Sequence, residues 1–273
     1  MLSGLKDIRD TSLFHTSVTK AKQLWYGGRG EPIRYGQHTL RYVPGTRPVR
    51  LKYLDSPDAV VRNDALQIAF FLNNVKPSDL VLDIGGHFGQ YAVLFAELVS
   101  NTGRVITFEP DRDAKAMLSR NLALNGFSER VEIESIALFD QVGEHTFFSN
   151  GADSMSSLAR SGLGTNALAP GVVEYRVKTA RLDDFLASRD LPCPDFVKLD
   201  TEGAEINILR GAKTLLGSGA TIVCELHPYV WEEFGTSFEE LLRLVGDSGK
   251  TIEYLDPSMR IQDGAYYGAA IIH

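Results

Sequence analysis

Cysteines and long apolar runs are scarce in this 273-residue sequence. Its two cysteines, Cys193 and Cys224, are too few for a disulfide framework or a zinc site. No apolar run reaches the length of about 18 residues that indicates a membrane-spanning helix. The polar N-terminus, residues 1–12, lacks the apolar region of a signal peptide. From these absences we expect a soluble, cytoplasmic protein without a membrane partner.

The overall composition excludes several further classes of protein. With 44% hydrophobic and 23% charged residues, the chain is neither disordered nor collagenous nor a coiled coil. Its length fits one large α/β domain, or a core domain with a smaller appendage. We divide it into an N-terminal extension, residues 1–63, and a single domain, residues 64–273.

Positive charge is concentrated near the N-terminus, although the whole chain has a formal net charge of −7. Residues 1–76 hold 12 Lys and Arg against 6 Asp and Glu, whereas the remaining residues hold 16 against 29. A basic segment on an acidic body suits an anionic substrate or nucleic acid. The arginines are scattered, however, and no nucleic-acid-binding motif is present, so we expect no nucleic-acid partner.

Turn signals interrupt the N-terminal extension at residues 27–28, 30–32, 44–45 and 48. We predict an irregular segment there that acts as a lid, a packing element or an oligomer contact. An apolar helix is predicted to follow over residues 58–73. The extension also contains apolar and aromatic side chains that could form a homodimer contact. They are Phe14, Leu24, Trp25 and Tyr26.

From residue 80 onward, short apolar runs alternate with helical patterns. The helical patterns cover residues 90–100, 111–125 and 237–245, together with a stretch in which Ile206 and Leu209 face inward. This alternation predicts a doubly wound, mostly parallel α/β sheet. The predicted strands are 80–84, 104–108, 131–135, 196–199, 221–225, 251–255 and 266–272.

An insertion separates the third and fourth of these strands. Residues 144–148 and 173–179 are predicted as extra strands, and the Ser- and Gly-rich residues 150–171 lie between them. Such a segment at the functional edge of a sheet is typical of a mobile lid.

Polar and glycine residues follow the ends of the predicted strands. In an open parallel sheet, ligands bind beyond the carboxyl ends of the strands, so we expect these residues to share one edge. They are Asp83, Gly85, Gly89, Glu109, Asp200, Glu202, Glu225 and His227.

The first of these turns, residues 83–89, reads D-I-G-G-H-F-G. It differs from the dinucleotide fingerprint G-x-G-x-x-G, which binds a pyrophosphate at a helix N-terminus. Asp83 would repel a pyrophosphate but suits a cation, such as the amino or sulfonium group of S-adenosylmethionine. The glycines let the backbone approach a ligand closely. After the second strand, Glu109 can accept hydrogen bonds from both hydroxyls of a ribose.

Five segments carry a more specific signal. They are L-D-I-G at 82–85 with Gly89, F-E-P at 108–110, R-L-D-D-F at 181–185, V-K-L-D-T-E-G-A-E at 197–205 and L-R-G-A at 209–212. Over residues 75–255 the chain thus resembles the FkbM-type family of S-adenosylmethionine-dependent methyltransferases. The resemblance implies a Rossmann-like class I fold, with a seven-stranded, mostly parallel sheet whose last strand is antiparallel. It also implies methylation of a hydroxyl on a sugar, polyketide or similar metabolite.

The resemblance implies S-adenosylmethionine as the cofactor and S-adenosylhomocysteine as its product. Family members commonly carry small or amide residues where this chain has Gly86 and His87, so the chain departs from the pattern there. The residues expected to bind the cofactor are Asp83, Gly85, Gly86, His87, Gly89, Glu109, Pro110, Ala137 and Asp200.

Methyl transfer to an alcohol requires a protein that aligns the reacting atoms and accepts the hydroxyl proton. The candidate catalytic residues are Asp200, Glu202 and His227. We predict His227 as the base because its ordinary pKa lies near neutrality. We interpret Glu205 as an acid that favours the first turn of a helix.

Three alternatives stay open at this point. Asp200, Glu202 and Glu225 could supply oxygen ligands to a divalent ion, but no metal-binding spacing is present, so we expect no metal. A nicotinamide-dependent oxidoreductase would share the sheet and Glu109, but Asp83 and the missing first glycine disfavour it. A non-catalytic binding protein could keep the fold, but it would not need acids at four strand ends.

Overall fold

A seven-stranded sheet lies at the centre of the protein, in a computed structural model that describes residues 12–151, 156–166, 171–264 and 267–273. The described chain begins with helix α1 (Ser12–Tyr26), the strands β1 (Glu31–Tyr35) and β2 (His38–Tyr42), and helix α2 (Ala59–Asn74). Strands and helices then alternate along β3 (Leu80–Ile84), α3 (Gln90–Leu98), β4 (Arg104–Phe108), α4 (Arg112–Leu124) and β5 (Val131–Glu134).

The second half of the chain begins with an insertion and then returns to the sheet. The insertion contains β6 (Ala137–Leu138), β7 (Gly143–Ser149) and β8 (Val173–Ala180), and helix α5 (Leu182–Ser188) follows it. The remaining elements are β9 (Phe196–Leu199), α6 (Glu205–Arg210), α7 (Lys213–Leu216), β10 (Thr221–Leu226), α8 (Pro228–Trp231), α9 (Phe238–Asp247), β11 (Ile252–Tyr254) and β12 (Gly268–Ile272).

The order of the strands across the sheet is β11-β12-β10-β9-β3-β4-β5. Strand β12 pairs antiparallel with both of its neighbours, whereas the pairs from β10 to β5 are parallel. The chain runs outward from β3 to β5 and then crosses back to β9, so the switch in direction lies between β3 and β9. The prediction of a doubly wound, seven-stranded, mostly parallel sheet with an antiparallel last strand is confirmed.

Burial on both faces explains why the central strands are apolar throughout. All five residues of β3 and all four of β9 are buried, because helices cover the sheet on both sides. Helices α2 and α4 begin where short polar side chains cap them: Asp58 accepts from Val60 N and Val61 N, and Asp111 accepts from Asp113 N and Ala114 N. The predicted helix over 58–73 and the predicted helix after Asp111 are thereby confirmed.

The N-terminal segment differs from the irregular chain that we predicted. It forms α1 and an antiparallel hairpin of β1 and β2, in which Tyr35 and Tyr42 are fully buried. The Tyr42 hydroxyl donates to the carbonyl of Gln90 on α3, which fastens the hairpin to the main body. The prediction was wrong because the glycine and proline turn signals concealed the alternation of buried and exposed residues, which extends over only five residues in each strand.

Other features of the extension and the insertion follow the sequence more closely. Strands β7 and β8 form the antiparallel pair that was expected in the insertion, and β6 joins β8 as a third strand.

The last strand begins at Gly268; residue 266, where we predicted its start, lies outside the described part. Leu24 and Trp25 on α1 are exposed, and the homodimer stays a prediction. Within the described residues, no helix combines the length and apolarity needed to span a membrane.

Candidate functional site

A cavity crosses the carboxyl ends of β9, β3 and β4, at the switch point of the sheet. It encloses about 780 Å³, part of it open to solvent. Apolar side chains form one wall, and they are Ile136, Leu138, Phe147 and Leu158. Of the predicted site residues, those that line the cavity are Gly85, His87, Glu109, Pro110, Ala137, Asp200 and Glu202. Ligands are expected at this position in a doubly wound sheet.

Asp83 lies beneath the turn and does not line the cavity. Its side chain is fully buried and accepts a hydrogen bond of 3.2 Å from the Thr107 hydroxyl. Burial raises the pKa of Asp83 to about 6, although the ammonium group of Lys198 opposes this shift. The Asp83 side chain thus faces Thr107 and Lys198, and the direct contact with a cationic ligand that we expected of it stays a prediction.

The glycines of the turn are required by packing against protein as well as by access to a ligand. A Cβ on Gly85, whose φ is +87°, would lie 1.7 Å from the carbonyl oxygen of Asp200. A Cβ on Gly86 would lie 2.1 Å from the Thr107 hydroxyl. Gly86 and Gly89 do not line the cavity, so only Gly85 among the three brings backbone to its wall.

Glu109 is held in a fixed orientation at the β4 end of the cavity. One carboxylate oxygen accepts from His87 N at 2.6 Å, and the other accepts from Asp111 N at 2.7 Å. Burial raises the pKa of Glu109 to about 8, against the lowering effect of these two backbone donors. His87, whose N–H donates to Glu109, has a φ of +46°, a rare backbone conformation for a residue other than glycine.

The opposite end of the cavity leads to what we call the acidic cluster: Asp200, Glu202, Glu225 and His227. The imidazole Nε2 of His227 lies 3.5 Å from Glu202 Oε2, 3.9 Å from Asp200 Oδ1 and 4.0 Å from Glu225 Oε1. The structure therefore brings together the three predicted catalytic residues, although His227 itself does not line the cavity.

Each carboxylate of the acidic cluster has a donor that fixes it. Lys198 Nζ donates to Asp200 Oδ2 at 2.8 Å, the Tyr229 hydroxyl donates to Glu202 Oε2 at 2.8 Å, and Gln67 Nε2 donates to Glu225 Oε2 at 3.0 Å. These contacts were not expected from the sequence, because Gln67, Lys198 and Tyr229 come from three different elements. Lys198 is only 1% exposed, so its pairing with Asp200 compensates a buried charge.

Glu205 belongs to the surroundings of the acidic cluster, although the sequence reasoning assigned it only to the first turn of a helix. It is fully buried, and its Oε1 accepts from His227 Nδ1 at 3.0 Å and from Gly203 N at 2.8 Å. The same oxygen accepts from the backbone and hydroxyl of Thr201. Although burial opposes ionisation, His227 and these donors lower the pKa of Glu205. Its position in a first turn hid this role, since acids there are common for electrostatic reasons alone.

The charge of His227 follows from its carboxylate neighbours. Burial disfavours the imidazolium, but Glu202 and Glu205 outweigh that effect and raise the pKa of His227 well above its ordinary value. Burial also raises the pKa of Glu202 to about 7. An imidazolium cannot accept a proton, so the surroundings of His227 work against the role of base that we predicted for it.

The insertion contacts both ends of the site. Ser156 donates to Asp111 Oδ2 at 3.0 Å, and Ser157 donates to the carbonyl of Glu202 at 2.8 Å. Within the segment that we predicted as a lid, residues 152–155 and 167–170 lie outside the described part. The closure expected of this segment stays a prediction.

Comparisons with known proteins agree with this geometry. A sequence profile of the family described as Methyltransferase FkbM domain matches residues 83–252. Hexuronic acid methyltransferase AglP of Haloferax volcanii is 26% identical over 167 residues, which cover 61% of this chain and 64% of that protein. The 2-O-methyltransferase NoeI of Sinorhizobium fredii is 30% identical over 151 residues, which cover 52% of this chain and 60% of that protein. The chain thus spans less than two thirds of these curated relatives.

Two of the solved structures to which this chain is similar are described as O-methyltransferases. An S-adenosylmethionine-dependent O-methyltransferase of Thermotoga maritima is 15% identical, with a TM-score of 0.46; the match covers 89% of this chain and 77% of that one. The O-methyltransferase TomG of Streptomyces achromogenes, solved with S-adenosylmethionine, is 15% identical with a TM-score of 0.44, and the match covers 81% and 83% of the two chains.

Proposed function

The chain belongs to the family of methyltransferase FkbM domains, and from this membership we propose that it transfers a methyl group from S-adenosylmethionine to a hydroxyl of a sugar-like acceptor. The observation that carries the proposal is the cavity with Glu109 at one end and Asp200 and Glu202 at the other. One end suits a ribose, and the other suits a hydroxyl that must lose its proton.

The residues around the cavity fit S-adenosylmethionine by their chemistry. Glu109 is the group for the ribose hydroxyls, because both of its oxygens are oriented by backbone donors. The apolar wall, which includes Ile136 and Leu138, suits the adenine ring. Gly85 and Pro110 line the space between. When bound, S-adenosylmethionine supplies a methyl group activated by its sulfonium and becomes S-adenosylhomocysteine.

The acidic cluster is the part of the chain that handles the acceptor. Asp200 and Glu202 line the cavity and can accept a hydrogen bond from an acceptor hydroxyl, which aligns its oxygen. The hydroxyl proton passes to the acidic cluster, whose carboxylates are half-buried and close to one another. His227 lies behind these carboxylates, and its Nε2 faces Glu202 at 3.5 Å.

A sugar is the acceptor class that the relatives favour. AglP is described as a hexuronic acid methyltransferase, and NoeI as a 2-O-methyltransferase. We extend the hydroxyl chemistry of these descriptions to this chain, with hexuronic acid glycosides as the first acceptors to test. The expected partner is therefore a small molecule.

Methyl transfer from isotopically labelled S-adenosylmethionine to a panel of hexuronic acid glycosides tests the proposal. We expect a new O-methyl signal in the NMR spectrum of one acceptor and one S-adenosylhomocysteine per methyl group. Asp200→Asn should reduce the rate, whereas Asp184→Asn, an exposed carboxylate on α5, serves as a matched control. Transfer to nitrogen or carbon acceptors, with none to hydroxyls, would overturn the proposal.

A further inference from the structure

Three residues of the acidic cluster are spaced as ligands of a single metal ion. One ligand atom each from Asp200, Glu202 and His227 lies within 4.8 Å of the other two. Two atoms that each bind an ion at about 2.1 Å lie about 3.0 Å apart at a right angle and about 4.2 Å apart in line. The distances of 3.5 and 3.9 Å from His227 Nε2 to Glu202 and Asp200 fall in this interval.

The nitrogen of His227 that faces the carboxylates points independently to a ligand. The side chain is only 3% exposed, and its Nδ1 is already engaged by Glu205 at 3.0 Å. Nε2 faces three carboxylate oxygens at 3.5 to 4.0 Å, which are ion-pair distances longer than a typical N–H···O hydrogen bond. A buried imidazole whose nitrogen faces several carboxylate oxygens at these distances leaves space for an ion among them.

We propose that Asp200, Glu202 and His227 bind one divalent transition-metal cation, for which Mn²⁺ is the representative. This assignment replaces the metal-free site that the sequence predicts. Imidazole favours transition metals, and carboxylates also accept Mn²⁺, so a site with one nitrogen and two carboxylates suits this class better than Mg²⁺ or Ca²⁺. Three protein ligands leave coordination positions for oxygens of another molecule.

Every proposed ligand has an outer partner, as metal ligands in proteins usually do. Glu205 accepts from Nδ1 of His227 and so leaves Nε2 directed at the carboxylates, where it would lose its proton on ligating an ion. Lys198 holds the oxygen of Asp200 that faces away from His227, and Tyr229 holds Glu202. Glu205 is thus a positioning residue that acts through His227.

The cation would give the chain a means of activating an acceptor hydroxyl. A divalent ion lowers the pKa of an oxygen that it coordinates, and it can hold two neighbouring hydroxyls of a sugar in a fixed position. His227 then serves as a ligand in place of the predicted base. This role in the reaction rests on the proposed function, whereas the binding of the ion does not.

Electron paramagnetic resonance of the full chain with Mn²⁺, without S-adenosylmethionine, tests the site. We expect one bound ion per chain, and nitrogen coupling in the pulsed spectrum from a single imidazole. Asp200→Asn and His227→Ala should each weaken Mn²⁺ binding by more than tenfold, and His227→Ala should remove the nitrogen coupling. Glu205→Gln should weaken binding by about 10- to 100-fold while keeping the coupling.

Asp184→Asn removes a carboxylate outside the site and should leave Mn²⁺ affinity unchanged, while circular dichroism shows whether each variant is folded. If His227→Ala does not fold, the coupling in the wild-type chain and the affinity of Asp200→Asn decide the question. Absent nitrogen coupling, or displacement of Mn²⁺ by an equal concentration of Mg²⁺, would overturn the proposal. Calorimetry with S-adenosylhomocysteine on the same samples separates this failure from a failure of the proposed function.

Discussion

Nδ1 of His227 lies 3.0 Å from Oε1 of Glu205, and both side chains are buried. Glu205 is at the start of α6 and His227 follows β10, so the contact joins the ends of two neighbouring segments of the fold. It fixes which ring nitrogen of His227 faces the cavity side. Because Nε2 points at Asp200, Glu202 and Glu225, this contact determines what the acidic cluster can do.

The first prediction separates the roles of His227 and Asp200. His227→Ala should lower kcat by about 10- to 100-fold, as expected for a residue that acts through Asp200 and Glu202, while leaving the affinity for S-adenosylmethionine nearly intact, because His227 does not line the cavity. Asp200→Asn should impair both quantities, since Asp200 lines the cavity. Steady-state kinetics and calorimetry measure the two effects. His273→Ala, an exposed histidine, is the control, and a wild-type kcat for His227→Ala would place the chemistry elsewhere.

The second prediction concerns the proton on Glu109. Burial raises its pKa to about 8 in the free protein, so at neutral pH the carboxyl is mostly protonated. Hydrogen bonds from ribose hydroxyls favour the ionised form, so binding should release a proton and affinity should rise as the pH increases toward 8. Calorimetry in buffers with different ionisation enthalpies measures this release. Glu109→Gln should abolish it; an unchanged release in that variant would assign the proton to another group.

The third prediction tests whether the N-terminal hairpin belongs to the core. Tyr42 is fully buried and its hydroxyl donates to Gln90 O, so Tyr42→Ala should lower the free energy of unfolding by about 3–5 kcal/mol. Thr39→Ala, on the exposed face of the same strand, should change it by less than about 0.5 kcal/mol. Urea denaturation compares the two variants. Equal, small effects would mean that the hairpin is a detachable lid.

Much of the sheet could be predicted from local pattern alone. Strands β3, β4 and β9 are short apolar runs with buried faces on both sides, and turn or capping residues mark their ends. The hairpin of β1 and β2 could not be predicted in this way. Its strands are five residues long, one contains Pro32, and their burial depends on α3 and α4, which lie far along the chain.

The site was predictable in its residues and less so in their contacts. Parallel strand ends meet at one edge, so Glu109, Asp200, Glu202 and His227 could be placed together from the sequence. Sequence spacing does not show which neighbour engages each ring nitrogen of His227, nor that Asp83 is buried beneath the turn. These features depend on side-chain directions at the ends of different strands, which only packing determines.

The binding of S-adenosylhomocysteine measured by calorimetry tests the central claim most directly, that the cavity holds this cofactor through Glu109. We predict one site per chain, with an affinity that Glu109→Ala weakens by about 10- to 100-fold, which corresponds to roughly 1.4–2.8 kcal/mol. Glu129→Ala, an exposed glutamate after α4, should bind as the wild type does. Equal affinity in Glu109→Ala and the wild type, or tighter binding of NAD⁺ than of S-adenosylhomocysteine, would contradict the account.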